Sequence, residues 1–491
     1  MERFPAKFGL SLVVLATLAL GADHDFEPAP AVKSALSRVT ANSLRGHLSF
    51  LASDLLEGRG TPSRGQDLAA EYIAAQFRRA GLDPASSSPK GYFQDAPFIS
   101  IEPNRDGLLL EIDGKAMDLT ALPFIDNRAS VMLTNAPAIK WDQAQDAAGQ
   151  VVFIHAASLQ EVMRTRRQLA GSKALLLVVT GPVSARFRNR ANLIPADQSA
   201  NSVPMVAVTD ADLTKTIETA AAGPLTLRIG AHISAPSEKP VTLRNVAGVL
   251  RGSDPTLAGT YEVLTAHYDH LGIKPSGDGD RIFNGANDDG SGAVSIIEIA
   301  SALASMDPRP RRSIVFIAFF GEEMGLLGSR YYGAHPLFPL LQTVADINLE
   351  HMGRTDSSLG THTAMVNITG FDFSNISSTF KRAGELTGIR VIKDEANSDP
   401  YFARSDNQAM ADVGVPAHTV SVSYEFPDYH QVGDEWEKID YDNMAKVDRM
   451  VTLALIMIAD NPVPPAWNES SLGAKKYLDA WKKAHEVSQA N

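Results

Sequence analysis

The sequence predicts an α/β fold: a mostly parallel, mixed central sheet sandwiched by helices, with a small β-rich domain inserted into it. Three observations lead there. From Val241 onward, apolar strand-like runs alternate with helical patterns, the signature of a parallel sheet with crossover helices. Residues 104–240 interrupt that rhythm with short apolar runs separated by turns. The length, 491 residues, exceeds what one ordinary core accommodates. Hydrophobic content of 44% and charged content of 21% belong to a globular chain. A formal net charge of -12 leaves no basic excess to neutralise phosphates, which argues against a general nucleic-acid binder.

Residues 1–22 read as an export signal. Arg3 and Lys7 precede the apolar run Phe8–Leu20, which small residues Gly21 and Ala22 close. The run is short for a membrane span, so no stable span is expected after cleavage, and a secreted or periplasmic location follows. With no cysteine in the chain, a lipoprotein anchor is impossible and any metal site must use His, Asp and Glu.

Residues 32–103 are expected to form an N-terminal helical part. Ser43–Leu56 carries Leu44, Leu48, Leu51 and Leu55 at helical spacing, and Gln66–Ala80 carries Leu68, Tyr72, Ile73 and Phe77. Gly81 and Pro84 stop the second helix, and the glycines and proline after Glu57 mark a loop between the two. Both helices read as packing elements without chemistry. In the inserted region, Val151–Ile154 and Leu175–Val179 are dense enough for buried strands, and Ser158–Leu169 is helical. The catalytic part spans 241–463. Its strands are Asn245–Leu250, Tyr261–Ala266, Ser313–Phe320, Val344–Leu349, Ala364–Ile368 and Ala417–Val422; its helices are Gly292–Met306, Leu326–Ala334, Phe373–Thr387, Ser405–Asp412 and Tyr441–Ile458. Residues 464–491 form a tail.

Ligands of such sheets lie beyond the carboxyl ends of the strands. His267, Glu322 and Glu350 each follow directly on an apolar strand. Between them, Phe283–Gly292 sets two adjacent aspartates in a turn of Gly and Asn before an apolar helix. Adjacent acids among glycines are commonly a solvated turn; the surrounding His-x-Asp, Glu-Glu and late histidine set this pair apart. Candidate metal ligands are His267, Asp288, Glu323, Glu350 and His430, with Asp288 as the bridge between two ions. Imidazole and carboxylate suit zinc. Two divalent ions against three carboxylates leave a positive remainder that favours hydroxide. Of Glu322 and Glu323, one acid binds metal and the other moves protons, and spacing leaves open which. Asp269 and Asp434 are candidate partners for the ligating histidines. His270 reads as a hydrogen-bonded scaffold residue.

The segments Ala266–Gly272, Gly285–Gly292, Gly321–Ser329, Asn348–Arg354 and Asp428–His430 resemble the M28 family of di-zinc exopeptidases. Leu51–Arg59 is similar to the entry helix of its protease-associated-domain branch, and residues 104–240 fit that inserted domain. The resemblance implies the zinc exopeptidase fold and two zinc ions per chain, one on His267, Asp288 and Glu350, the other on Asp288, Glu323 and His430. It further implies Glu322 as general base and acid, Asp269 as a second catalytic-site acid, peptide substrates, and a cis Asp288–Asp289 bond. Glu350 departs from the aspartate most common there, and Asn407 from a common histidine in Ser405–Asn407. The function implied is release of N-terminal residues. Alternatives are a carboxypeptidase of the same fold, a one-zinc glutaminyl cyclase-like enzyme, and a non-catalytic binding or receptor homologue. A substrate amine would call for acids such as Glu395, Asp399 or Asp406; a carboxylate would call for Arg354 or Arg404.

Overall fold

A computed structural model describes residues 28–86, 91–117, 124–127, 129–186, 192–197, 203–357 and 360–490. The expected export signal at 1–22 lies outside them. In chain order the main elements begin with α1 (Pro30–Arg38), α2 (Ala41–Leu51), α3 (Arg64–Ala80) and β1 (Phe93–Glu102). There follow β2 (Leu109–Ile112), β3 (Phe124–Asp126), β4 (Val131–Lys140), β5 (Val151–His155), α4 (Leu159–Leu169), β6 (Leu176–Thr180), β7 (Asn192–Pro195), β8 (Met205–Ala207), α5 (Ala211–Thr219) and β9 (Gly223–Ile233). The remainder is β10 (Ser237–Leu250), β11 (Tyr261–His267), α6 (Ser291–Ala304), β12 (Ser313–Phe319), α7 (Leu327–Ala334), β13 (Thr343–Leu349), β14 (Met365–Ile368), α8 (Ile376–Thr387), β15 (Arg390–Ile392), α9 (Asn407–Asp412), β16 (Ala417–Ser421), α10 (Tyr441–Asp460) and α11 (Lys475–Ala490).

The large sheet runs in the order β15-β14-β16-β13-β11-β12-β10-β1-β7. Its centre, β12, β11, β13 and β16, is parallel, while β10 and β1 extend it antiparallel. The fold is therefore the mixed, helix-sandwiched sheet that the alternation predicted. Both faces are covered, and the central strands show it residue by residue. Ile314, Phe316 and Ala318 of β12 face the core shared with α2, α3, α6 and α10; Val315, Ile317 and Phe319 face the one shared with α7, α9 and α11. A strand buried on both sides must be apolar at every position, which is why Ser313–Phe320 reads as an unbroken run. Helix α6 is buried nearly all round, matching its largely apolar sequence, and Ser291, Ser295 and Glu298 are buried with it.

The second sheet contains β2-β9-β4-β5-β6-β8-β3, with helices on both faces. Val151 and Phe153 pack with α5, and Val152 and Ile154 with residues of α4. This region is thus a small layered α/β unit as well as β-rich. It is also tied to the large sheet: β7 pairs with β1, and β10 runs as one strand across residue 240.

Three local expectations change. Residues 93–102, assigned to a helical part, form β1, and the alternation of buried Ala96 and Phe98 with exposed Asp95 and Pro97 is its period-two signal. The helix expected over Ser43–Leu56 ends at Leu51, and a 3₁₀ turn at Asp54–Arg59 follows. Leu55, placed by the helical stripe in the core, is 78% exposed because the chain has already left the helix. Among the described residues no helix is long and apolar enough to cross a membrane. Phe316, fully buried beside Phe77, supports the sheet's core face. Phe316→Ala should lower unfolding free energy by about 3–5 kcal/mol, whereas Leu55→Ala should stay within about 0.5 kcal/mol, as read from denaturant unfolding.

Candidate metal centre

The parallel strands deliver their loops to one edge of the sheet. His267 is the last residue of β11, Glu322 and Glu323 follow β12, and Glu350 follows β13. The fourth contribution is the turn Ala286–Gly290, seated between the β11 loop and α6. Gly285 makes the approach possible: its φ is +59°, and a Cβ there would lie 2.4 Å from both Asp288 O and His270 Cγ. The Asp288–Asp289 bond is cis, as the resemblance implied.

Asp288 is the hub. His267 Nε2 lies 3.4 Å from its Oδ1, and His430 Nε2 lies 3.1 Å from its Oδ2. His430 Nε2 is also 3.3 Å from Glu323 Oε1. Two donors at about 2.0–2.1 Å from one tetrahedral zinc stand about 3.3–3.4 Å apart, so these separations are compatible with atoms that share an ion. His267, Asp288 and Glu350 form one group of ligand-type atoms. The second compact group is His270, Asp288 and Glu323. His270, read from sequence as a hydrogen-bonded scaffold residue, therefore enters the cluster. Its Nδ1 is 2.8 Å from Glu323 Oε1, yet both atoms lack a hydrogen bond, because proximity alone does not align the ring nitrogen with the oxygen. His430 approaches the same two carboxylates from the rim, 37% exposed, while His270 is buried beneath.

His351 is a further member that sequence reasoning did not single out. Its Nε2 is 3.7 Å from Asp288 Oδ1 and from Glu350 Oε1. Its Nδ1 contacts the carbonyls of Ser423 and Tyr424 at 3.2 and 3.1 Å, which makes Nδ1 the protonated nitrogen and leaves the Nε2 lone pair toward the cluster. His267 is oriented likewise, with Nδ1 at 3.2 Å from Asp269 O. The signal for His351 was its position directly after Glu350.

The flanking acids hold backbone. Asp269 Oδ1 accepts the N–H of Glu322 at 3.0 Å and Oδ2 accepts the Thr61 hydroxyl, so it braces the Glu-Glu loop as well as lying 3.6 Å from His267 Nδ1. Asp434, expected beside a ligating histidine, instead accepts the N–H groups of Asn287 and Asp288, each at 3.0 Å. Asn407 is buried, bonded to Phe402 O and the Thr419 hydroxyl, and belongs to the scaffold. Asp406, a candidate for an amine, is buried against Ser329, and Arg354, a candidate for a carboxylate, is committed to Asp356 and Asp428. Glu395 is surface-exposed and paired with Lys393, Asp399 is exposed, and Arg404 lies half-exposed over the Tyr401 ring.

Electrostatics follow from gathering acids out of water. Burial pushes Glu322 well above the usual carboxylate range, opposed by His267 and reinforced by Glu323 and Glu350. Burial would also raise Asp288, but His270, His267, His351 and His430 outweigh it and hold it well below. The same pairing holds His430 up at about 10 against burial.

The residues fit divalent zinc. His267 Nε2, both His270 nitrogens, Glu323 Oε1, His351 Nε2 and Asp289 Oδ2 are buried without a hydrogen-bond partner. An unsatisfied buried polar atom costs about 1–3 kcal/mol, and a cation shared by these nitrogens and oxygens removes that cost.

An α/β scaffold with an all His/Asp/Glu centre at the carboxyl ends of its parallel strands defines a metallohydrolase. Residues 245–455 match the model of Peptidase family M28. It is 25% identical over 347 residues to the aminopeptidase YwaD of Bacillus subtilis, covering 68% of each chain. It is 35% identical over 126 residues to a probable zinc metalloprotease of Pyrenophora teres, 25% of each. A probable leucine aminopeptidase 2 of Aspergillus oryzae is 27% identical over 277 residues, 55% of this chain and 50% of the relative. In fold, the chain is similar to an aminopeptidase from Aneurinibacillus sp. strain AM-1, with a TM-score of 0.60 at 18% identity, covering 90% of this chain and 98% of that one. Adding zinc to metal-stripped protein should raise its melting temperature in a concentration-dependent way, the stabilisation reaching about 4 kcal/mol at a thousandfold excess over Kd. An unchanged melting curve would show that the cluster holds no ion.

Proposed function

We propose that this chain is an exported di-zinc M28 aminopeptidase that removes N-terminal residues from peptides. The observation that carries the reading is the convergence of two imidazole–carboxylate sets on the single buried carboxylate of Asp288. In this reading one zinc is held by His267, Asp288 and Glu350, and the other by Asp288, Glu323 and His430. The named aminopeptidase relatives support the direction of attack, as does the commitment of Arg354 to two aspartates, which withdraws it from binding a substrate carboxylate. Arg404 is the feature that favours the carboxypeptidase alternative, since it stays half-exposed. Residues 104–240 are read as the protease-associated-like domain, shaping access, and 1–22 as the export signal.

Zinc at these positions would supply Lewis acidity to the scissile carbonyl and to the attacking water. The chain's own residues do the rest. Glu322 takes the water proton and hands it to the departing amine; its Oε2 is 4.0 Å from His267 Nε2, at the edge of the centre. Burial raises the affinity of its carboxylate for the proton it takes from water. Asp269 fixes the Glu322 backbone, so the carboxylate swings from an anchored point. Glu323 stays turned inward beside His270, leaving the two neighbouring acids with different tasks.

Glu322→Gln should lower kcat about 10²–10⁴-fold while both zinc ions remain bound; loss of both ions in that variant would sink the assigned role. Asp288→Asn should release both ions together, whereas His267→Ala and His430→Ala should each begin with one, as measured by metal analysis during chelator titration. If His270→Ala, and not His430→Ala, releases the second ion, the inner histidine is the ligand. Cleavage of free-amine peptides with no cleavage of N-blocked ones supports the aminopeptidase direction, whereas cleavage of N-blocked peptides that is lost when the carboxyl end is amidated supports the carboxypeptidase.

A further inference from the structure

The turn that carries Asp288 is held from both sides. Asp434 takes its N–H groups at Asn287 and Asp288, and the Asp434 carbonyl takes that of Ala286. On the other side lies Arg59, only 1% exposed. Its guanidinium donates to four backbone carbonyls: Nε to Tyr268 at 2.8 Å, Nη1 to Leu51 at 2.6 Å and Asn284 at 2.7 Å, and Nη2 to Gly285 at 2.8 Å. Tyr268 follows His267, Asn284 and Gly285 open the Asp288 turn, and Leu51 ends α2.

The segment around Arg59 is stitched to the same loops. Arg59 O accepts the N–H of His270 at 3.3 Å. A Cβ at Gly58, whose φ is +67°, would lie 2.5 Å from Phe283 O, so only glycine lets the chain run this close. Desolvating a guanidinium is expensive, and among the described residues no carboxylate is bonded to this one; attraction from Asp269, Asp434, Asp288 and Asp289 offsets only part of the penalty through space. A planar fork that binds carbonyls of two ligand loops at once sets their separation.

We propose that Arg59 is a positioning residue for the metal centre, spacing the His267 loop from the Asp288 turn by bonding Tyr268, Asn284 and Gly285. The proposal rests on reading Asp288 and His267 as zinc ligands. Lysine keeps the charge but replaces the fork with a point donor that cannot span these carbonyls. Loss of an outer partner of a metal site typically weakens metal affinity about 10–100-fold.

Metal-stripped wild type, Arg59→Lys and Arg59→Met are titrated with zinc against a chromophoric chelator, then loaded with cobalt for absorption spectra. Arg59→Lys should keep the wild-type circular dichroism, bind zinc about 10–100-fold more weakly and show a shifted cobalt spectrum. Wild-type affinity with an unchanged spectrum in both variants overturns the proposal. Hydrogen exchange gives a second readout: residues 284–290 should exchange faster in metal-free Arg59→Lys than in metal-free wild type, and equal rates overturn the proposal. A wild type that binds no zinc defeats the underlying metal reading, and is told apart by the first titration.

Discussion

The structure depends on one constraint: a carboxylate, Asp288, placed out of water among other acids. Asp288 is 2% exposed, and Asp269, Asp289, Glu322, Glu323 and Glu350 surround it. Gathering like charges at low dielectric is unfavourable unless each finds a cation or a hydrogen-bond donor. Here compensation comes from imidazoles, from backbone N–H groups, and from a guanidinium that reaches the turn through its carbonyls. A divalent cation, which the orphaned nitrogens and oxygens suit, would complete the balance.

Placement of the acids at strand ends makes this arrangement rigid. Beneath the centre, a buried polar chain crosses the sheet: Thr265 donates to Asp346 and Asn348, Asn348 to Ser405 and Thr419, and Thr419 to Asn407. Thr265 and Asn348 stand two residues before His267 and Glu350, so they share a sheet face with those ligands. Buried and mutually bonded, they tie three parallel strands together just below the side chains that must stay in register. Burial pushes Asp346 up to about 8, which lowers the charge it adds under the site near neutral pH.

Much of the fold was legible because its strongest signals are local. The doubly buried strands β11, β12 and β13 are continuous apolar runs, and α3 ends at Gly81, whose φ of +81° fits its stop role. Strand β1 was missed because polar Gln94 and Ser100 occupy buried positions and break the apolar alternation, and Leu55 was misassigned because spacing alone does not reveal where a helix ends. The acids Asp269 and Asp434 were visible as members of the site, but Asp434 serves backbone N–H groups and not a histidine. His351 lay in a recognised segment yet carried no spacing signal of its own. Arg59 was hidden more deeply: it closes a recognised segment, Leu51–Arg59, but nothing in the sequence tells which carbonyls its guanidinium meets.

By itself the sequence determined the alternation of strands and helices, the residues at the ends of the parallel strands, and the identity of the cluster as His, Asp and Glu without cysteine. Those follow from periodicity and composition, which are properties of neighbours in the chain. Tertiary structure decided which histidines meet which carboxylates, that Asp406, Asn407 and Arg354 are occupied elsewhere, and that a guanidinium eight residues beyond α2 braces loops more than two hundred residues away. Such pairings depend on the direction in which a side chain leaves its backbone and on the burial of its partner. Both are set only when distant segments pack.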